Sequence, residues 1–356
     1  MGVASAWKLA AAGLDVVVLE KSVPGAEASS AAAGILGAHS EAEGPGAMAD
    51  LLLAGLRRYP AWSRALRRTT GMDVGFRRSG VLHLGLTRRE STRAVARAAW
   101  MRGHGRRVRK LDGPSARRLE PALGKVEGGV LFPDDARVDP KLFFRAVHIA
   151  AGKAGVRFES GAYVRRILVE RRGVRGVVME GGVEYEAGCV VLAAGSWSSL
   201  VLGTPLEKDS VVPARGQMIE LDAGAPLLKH VVVGPRCYIV PRDDGRTLVG
   251  STVEFVGYRR EVTARAVHDL LGAAIQMVPA LGNAPLGATW SNFRPYTPDE
   301  LPILGRTSVD GLLLATGHHR NGILLAPITA EITCALARGK RPPIDVTPFE
   351  MSRFDS

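Results

Sequence analysis

Apolar residues recur at helical spacing in several stretches of this chain and gather in short β-branched runs between them, the alternation expected of helices wound around a largely parallel sheet. Val3, Trp7 and Leu14, with alanines between, predict an amphipathic helix closed by Gly13, and residues 15–20 predict a strand ending in the carboxylate of Glu20. Leu52, Leu56, Tyr59, Trp62 and Leu66 share one face of a helix over 49–70. Residues 81–86 alternate as a strand, a basic helix runs on from Thr87, and another helix covers 140–154. β-rich segments follow at 156–160, 164–170, 174–180 and 183–187, then a buried strand from Cys189 that ends at Ala193, Ala194 and Gly195. From Val211 the pattern alternates strictly, with a turn at Asp243-Asp244-Gly245, so antiparallel hairpin strands are expected there before a helix over 263–277. Near the end, residues 311–316 read as a buried strand. Gly317-His318-His319-Arg320-Asn321-Gly322 then reads as a tight turn, and Leu324, Ile328, Ile332 and Leu336 as a helix with Pro327 in its first turn and Gly339 at its far end.

Strand, tight turn and helix N-terminus make a place for an anion or a developing negative charge, because the first helical N–H groups are unpaired and the helix dipole is positive there. At the other end of the chain, the helix from Gly2, the strand and Glu20 form the second half of a dinucleotide-binding βαβ unit. In the complete unit a strand and a G-x-G-x-x-G turn come first, the last glycine allows the helix to pack closely, and an acid about 20 residues on holds the ribose hydroxyls. Gly2 fits the last glycine and Glu20 the acid. The first strand and first two glycines are missing. The expectation is therefore a natural chain beginning about ten to fifteen residues upstream, with Met1 a misplaced start or an internal methionine of the glycine turn.

The stretch 24–39 is dense in small residues, Ser29, Ser30, Ala33, Gly34 and Ile35 among them, so its backbone can approach a bulky ligand and its hydroxyls can donate to phosphates. Glu20-Lys21-Ser22 together with residues 29–41 resembles the FAD-binding start of the D-amino-acid oxidase and sarcosine oxidase family, and within it the glycine oxidase branch. Cys237-Tyr238-Ile239-Val240-Pro241-Arg242, the spaced pattern Arg-Pro-x-Thr-Pro-Asp-x-x-Pro-x-x-Gly from Arg294, and residues 317–327 extend the resemblance over nearly the whole chain.

The resemblance implies an α/β fold with a discontinuous, Rossmann-like FAD domain (residues 1–75, 140–210 and 296–356) lacking its first strand. It also implies a substrate domain (76–139 and 211–295) on an antiparallel sheet. FAD should be held non-covalently, because no cysteine stands in 302–317, where sarcosine oxidases attach it. Gly2, Glu20, Lys21, Ser29, Ser30, Ala33, Gly34, Ile35, Val164 (beside the adenine), Ala194, Gly195, Trp197 and residues Gly317 to Leu324 (His318, His319, Arg320, Asn321, Gly322 and Ile323 between them) are the implied cofactor contacts. The implied reaction is oxidative deamination of glycine, a small amine or a D-amino acid to the 2-oxo acid, ammonia or amine, and H2O2, by hydride transfer from substrate Cα to flavin N5. Arg294 is the implied carboxylate clamp, since a planar guanidinium offers two parallel hydrogen bonds where lysine offers a point charge. Tyr238 is a second donor to that carboxylate and Arg320 a second substrate arginine. His318 and His319 are not read as general bases, and His39 is read as structural. Arg236 stands where glycine oxidases carry a histidine and Val253 where they carry a methionine, so a strict preference for glycine is not implied. A dehydrogenase passing electrons to a quinone or protein acceptor is the alternative activity, and a non-catalytic flavin-fold protein a third reading. A role in thiamine biosynthesis and a homo-oligomer are also implied. Without the missing strand, the 356-residue form is expected to hold FAD weakly and to be poorly soluble.

Composition changes this picture little. At 356 residues, with 46% hydrophobic residues and 42 glycines, the chain suits two joined domains of a globular enzyme. No apolar run approaches the roughly 18 residues of a membrane span, and no signal-peptide pattern opens the sequence, so the cytoplasm is expected. The net charge of +12 comes with arginines scattered over helix-like segments between Arg57 and Arg118, without a nucleic-acid-binding motif. Solvated helix faces are expected, and no nucleic acid partner. Cys189, Cys237 and Cys334 lack metal or disulfide spacing and are expected to be buried thiols, with no metal site.

Overall fold

The computed structural model describes residues 1–354. Its largest element is an eight-stranded sheet in the spatial order Leu286–Tyr296, Val212–Asp222, Arg246–Gly250, Tyr238–Pro241, Val231–Val233, Val81–Gly85, Gly128–Phe132 and Arg109–Asp112. Neighbours run antiparallel except for Val231–Val233 beside Val81–Gly85. Strand alternation gives the sheet two different faces. Ile219, Leu221, Ile239 and Val249 bury against Leu270, Ala274 and Met277 of the helix Ala264–Met277. Met218, Tyr238, Val240 and Trp290 project the other way, onto Ala33 and Ile35.

The second layer is a parallel α/β arrangement in two pieces. Val17–Glu20 pairs in parallel with Arg157–Ser160, while Val190–Leu192 pairs in parallel with Leu312–Thr316, itself antiparallel to Ile303–Arg306. Among the described residues no strand joins Val17–Glu20 to Val190–Leu192. A separate meander of Val164–Glu170, Gly173–Met179 and Glu184–Glu186 lies between them in sequence.

The helix Gly2–Ala11 packs on the helices Pro140–Lys153 and Gly322–Ala337, and the latter also packs on the helix Ala47–Thr70. At that crossing a Cβ on Gly55 would lie 2.7 Å from the Leu324 carbonyl oxygen, so only glycine lets the backbones approach this closely. Helix starts follow their local chemistry. Thr87 and Glu90 form a capping box, Asp139 caps a helix opening with Pro140, and Thr263 accepts from the Ala266 N–H. None of the described helices is long and apolar enough to cross a membrane.

One detail corrects the sequence reading. Pro327 lies beyond the first turn of the helix that begins at Gly322, so its missing N–H leaves the Ile323 carbonyl without its helical partner. The hydroxyl of fully buried Tyr59 donates to that carbonyl at 2.5 Å instead, and burial holds the phenol well above its ordinary pKa. Tyr59→Phe should therefore leave a buried acceptor unpaired and cost about 1 to 3 kcal/mol. Thermal or urea unfolding measures this, and a variant as stable as the parent would contradict the pairing.

Candidate active site

A continuous cavity of about 1200 Å3 opens between the two layers. It exceeds the roughly 300 to 1000 Å3 of an ordinary small-molecule pocket. Glu20, Lys21, Ser29, Ala33, Gly34, Ile35, Val164, Ala194, Gly195 and Trp197 line it together with Gly2, Tyr238, Arg294, His318, His319, Arg320, Gly322 and Ile323. Four expected contacts do not line it. The Ser30 hydroxyl donates to the Gly25 carbonyl at 2.6 Å, and Leu324 is buried in the core. Gly317 takes φ +71° where a Cβ would lie 2.6 Å from Thr297 Cγ2, and Asn321 is the N-cap residue of the last helix.

The small-residue stretch is an ordered wall, not a flexible linker. After the short helix Ala28–Ala31, Ile35–Leu36 pairs with Ala136–Arg137. Gly34 has φ +78°, and a Cβ there would lie 2.1 Å from the Val138 carbonyl, which requires glycine. Trp290 Nε1 donates to the Ala31 carbonyl, and buried Arg242 donates to the Ala33 and Val138 carbonyls. The large sheet thus satisfies backbone groups that the stretch cannot pair itself. Burial pushes the Arg242 guanidinium down to about 10 against the opposing pull of Asp139. Nearby, the Lys21 ammonium lies over the Trp197 ring at 3.2 Å, and burial lowers its pKa despite the charge of Glu27.

Arg294 lies in the edge strand Leu286–Tyr296, paired with Ala214 of the neighbouring strand, and its side chain reaches over Gly216. Its Nη2 donates to Ser251 Oγ at 2.6 Å and its Nη1 to the Thr252 carbonyl at 3.1 Å. Both acceptors are neutral. Among the described residues no carboxylate lies within salt-bridge distance of this half-buried guanidinium; of the cavity's other arginines, Arg157 and Arg320 pair with Asp15 and Glu41, and the exposed Arg236 bonds Gln276. A Cβ on Gly216 would lie 2.3 Å from the Arg294 guanidinium, so the glycine makes the space in which the charge sits. Tyr238 projects from the same face of the sheet, and its hydroxyl rests on Met218 Sδ at 3.1 Å, a weak acceptor.

The turn before the last helix carries two histidines in different settings. His318 is buried, with Nε2 3.0 Å from Thr329 Oγ1, and burial pushes its pKa down to about 3. His319 has φ +44°, a left-handed conformation unusual outside glycine. Its ring meets Tyr296 edge-on at 5.1 Å, and its Nε2 is buried without a hydrogen-bond partner. Burial, with the charges of Arg294 and Arg320 added, holds it at about 3. Arg320 is half exposed, its Nε 2.7 Å from Glu41 Oε2.

Sequence reasoning missed Ser251, Thr252, Gly216 and Glu41. A glycine inside a strand pattern is a signal of close approach, so Gly216 could have been found. The distant pairing of Arg320 with Glu41 has no local signature. Arg236, expected to alter the pocket, is exposed on the cavity rim with Nη2 on Gln276. His39 is structural, its ring on buried Asp135. Cys189 is only half buried, a departure from the expected three buried thiols. Cys237 lines the cavity, and burial drives its thiol up to about 12, which keeps it un-ionised and unreactive.

Two helix N-termini without side-chain caps, at Gly2 and Gly322, reach the one cavity. Such a pair suits a ligand with a diphosphate at one point and a charge-accumulating ring at another. A Cβ on Gly2 would meet nothing closer than Ala193 Cβ at 3.6 Å, so the glycine is not needed for helix packing and the open space it leaves belongs to the cavity. Fold and cavity together define a dinucleotide-dependent oxidoreductase. The sequence model of the FAD dependent oxidoreductase family matches residues 1–336, and the chain belongs to that family, with FAD as its cofactor. It is 38% identical over 355 residues to a bifunctional protein ThiO/ThiG of Synechocystis sp. It covers 99% of this chain but 52% of that relative, so the chain spans about half the length of such relatives. A glycine oxidase of Geobacillus kaustophilus is 34% identical, with 99% of this chain and 94% of the relative covered. The crystal structure of glycine oxidase from that organism superposes with a TM-score of 0.94 over 99% of this chain and 95% of the other.

Proposed function

We propose that the chain carries out oxidative deamination of glycine, other small amines or small D-amino acids: amine, O2 and water give the 2-oxo acid, ammonia or the released amine, and H2O2. The observation that carries this reading is Arg294, a half-buried guanidinium held in plane by Ser251 and Thr252 with no carboxylate partner among the described residues. A buried charge left unpaired is expensive, and a substrate carboxylate completes it through two parallel hydrogen bonds. Bound FAD would supply the two-electron acceptor that the oxidation of the substrate Cα–N bond requires. Tyr238 turns its hydroxyl from the weak acceptor Met218 to the same carboxylate. Arg320, exposed and tied to Glu41, acts at the rim by steering the anion inward. Glu20 would hold the ribose and Val164 the adenine, and the N-termini at Gly2 and Gly322, which reach the same cavity, would receive the diphosphate and the flavin ring. Residues 1–75, 140–210 and 296–356 form the cofactor domain in this reading, and 76–139 and 211–295 the substrate domain. A cytoplasmic homo-oligomer whose imine product feeds thiamine biosynthesis completes it.

The test is anaerobic addition of glycine, sarcosine and D-alanine to the FAD-loaded protein, followed by air. Bleaching of the flavin with fast return of colour and peroxide is expected; no bleaching with any amine contradicts the proposal, and bleaching without reoxidation contradicts its oxidase part. A sharper local test is Gly216→Ala. The new methyl group would stand 2.3 Å from the Arg294 nitrogens, and a flexible side chain yields before a backbone does. The variant should fold and bind FAD as the parent does, yet lose about tenfold or more in kcat/KM through a misplaced clamp. Unchanged kinetics would show that the guanidinium does not need this space.

A further inference from the structure

We propose that His319 positions the substrate amine: its unprotonated Nε2 accepts a hydrogen bond from an N–H of the amine whose carboxylate lies on Arg294. The inference rests on the oxidative-deamination reading above. It assigns a substrate class, amino acids with at least one hydrogen on nitrogen, bound as the free amine.

Three observations carry it. First, Nε2 of His319 is a buried polar atom with no partner, and such atoms are rare because each forfeits a hydrogen bond to water. His318, next in sequence, has its Nε2 satisfied by Thr329, so the turn can pair an imidazole and leaves this one open. Second, His319 sits at φ +44°, a strained backbone that persists only where surroundings over-determine it, and such strain gathers at functional sites. Its ring is fixed edge-on against Tyr296, two residues beyond Arg294 on the same face of one strand, so imidazole and guanidinium are held by one rigid element. Third, the charged groups facing the ring are Arg294 and Arg320, the latter paired with Glu41. The remaining titratable neighbour is the Tyr296 phenol. With no carboxylate within salt-bridge distance of Arg294, and Glu41 already paired with Arg320, an ammonium would meet two guanidinium groups and no unpaired counter-charge, while a neutral amine meets an acceptor. Burial and those cations keep the imidazole itself unprotonated, with a pKa of about 3. An α-amine nitrogen is two bonds from the carboxylate carbon, so a substrate seated on Arg294 brings its nitrogen to this side of the cavity.

The experiment compares the FAD-loaded parent with His319→Phe, which removes the acceptor, and His319→Asn, which tolerates a left-handed backbone and restores an oxygen acceptor. Two ligands separate the roles: glycine, by steady-state kinetics, and acetate, a carboxylate of similar size with no donor on its α-carbon, by titration of the flavin absorbance. The expected result for His319→Phe is a fall of about five- to tenfold in kcat/KM for glycine, the worth of one hydrogen bond, with the acetate dissociation constant within about twofold of the parent. His319→Asn should recover part of the loss. An equal weakening of acetate would overturn the proposal in favour of a general structural role, as would unchanged glycine kinetics. A parent that binds acetate but oxidises no amine would instead overturn the underlying activity, and this inference with it.

Discussion

Alanine at position 294 is expected to lower kcat/KM for every amino-acid substrate by about 30-fold to a few thousandfold, the equivalent of roughly 2 to 5 kcal/mol for removing one partner of a desolvated charge pair. The expectation follows from where the guanidinium stands. It is half buried, its two donors within the protein end on neutral oxygens, and its remaining donors are free for a carboxylate. Arg320→Ala should do much less, within about fivefold, because that side chain is 44% exposed and already ion-paired with Glu41, and exposed pairs contribute about 1 kcal/mol or less. Arg294→Lys should recover only part of the loss, since an ammonium cannot reproduce the planar fork. Steady-state kinetics of the three variants decides the matter. The proposed clamp is wrong if Arg294→Ala stays within a few-fold of the parent, or if Arg320→Ala proves the more damaging change.

Much of this arrangement was legible because it depends on local chemistry. The helix Ala264–Met277 falls within the predicted span 263–277, with Thr263 as its cap, the strand Tyr238–Pro241 projects alternate residues to two different cores, and Gly317 turns the chain with the left-handed backbone its neighbours required. What was not legible depends on residues far apart in sequence. Nothing near Arg320 announces Glu41, and nothing near Arg294 announces that Ser251 and Thr252 fix its plane. Leu324 reads as part of a ligand turn, yet helical rotation carries it into the core beside Gly55. Pro327 was placed one turn too early because the helix start is set by Asn321 and Gly322, and the Tyr59 hydroxyl that compensates for the proline comes from another helix. The spacing of His318 and His319 gives no hint that one imidazole is satisfied and the other open, since adjacent residues of a turn face different surroundings.

Acidification from pH 7.5 to 5.0 should destabilise the folded chain by about 4 kcal/mol through two histidines alone. Burial pushes His83 down to about 4, with Arg97 adding to the effect, and His318 down to about 3. Both are bases whose folded pKa lies below the unfolded value of about 6.5. Above that value the imidazoles are neutral in both states and the stability is fully present. As the pH falls below it, the unfolded chain binds protons that the folded chain refuses, so stability is lost progressively between about 6.5 and the folded pKa values near 4 and 3. At pH 5.0 the loss is about 2 kcal/mol for each histidine. His319, also held at about 3, acts in the same direction. Ordinary carboxylates titrate mostly below this window, so the histidines dominate it. His83 gives the cleaner test, because it lies in the strand Val81–Gly85, packs edge-on against Phe132 at 5.5 Å and has its Nε2 buried without a partner. His83→Leu removes the titrating group and the unpaired atom together. Its urea-unfolding free energy should fall by about 2 kcal/mol less than the parent's between pH 7.5 and 5.0. Parallel pH profiles for variant and parent would mean that His83 takes up its proton in the folded chain, and the acid sensitivity would then have to come from elsewhere.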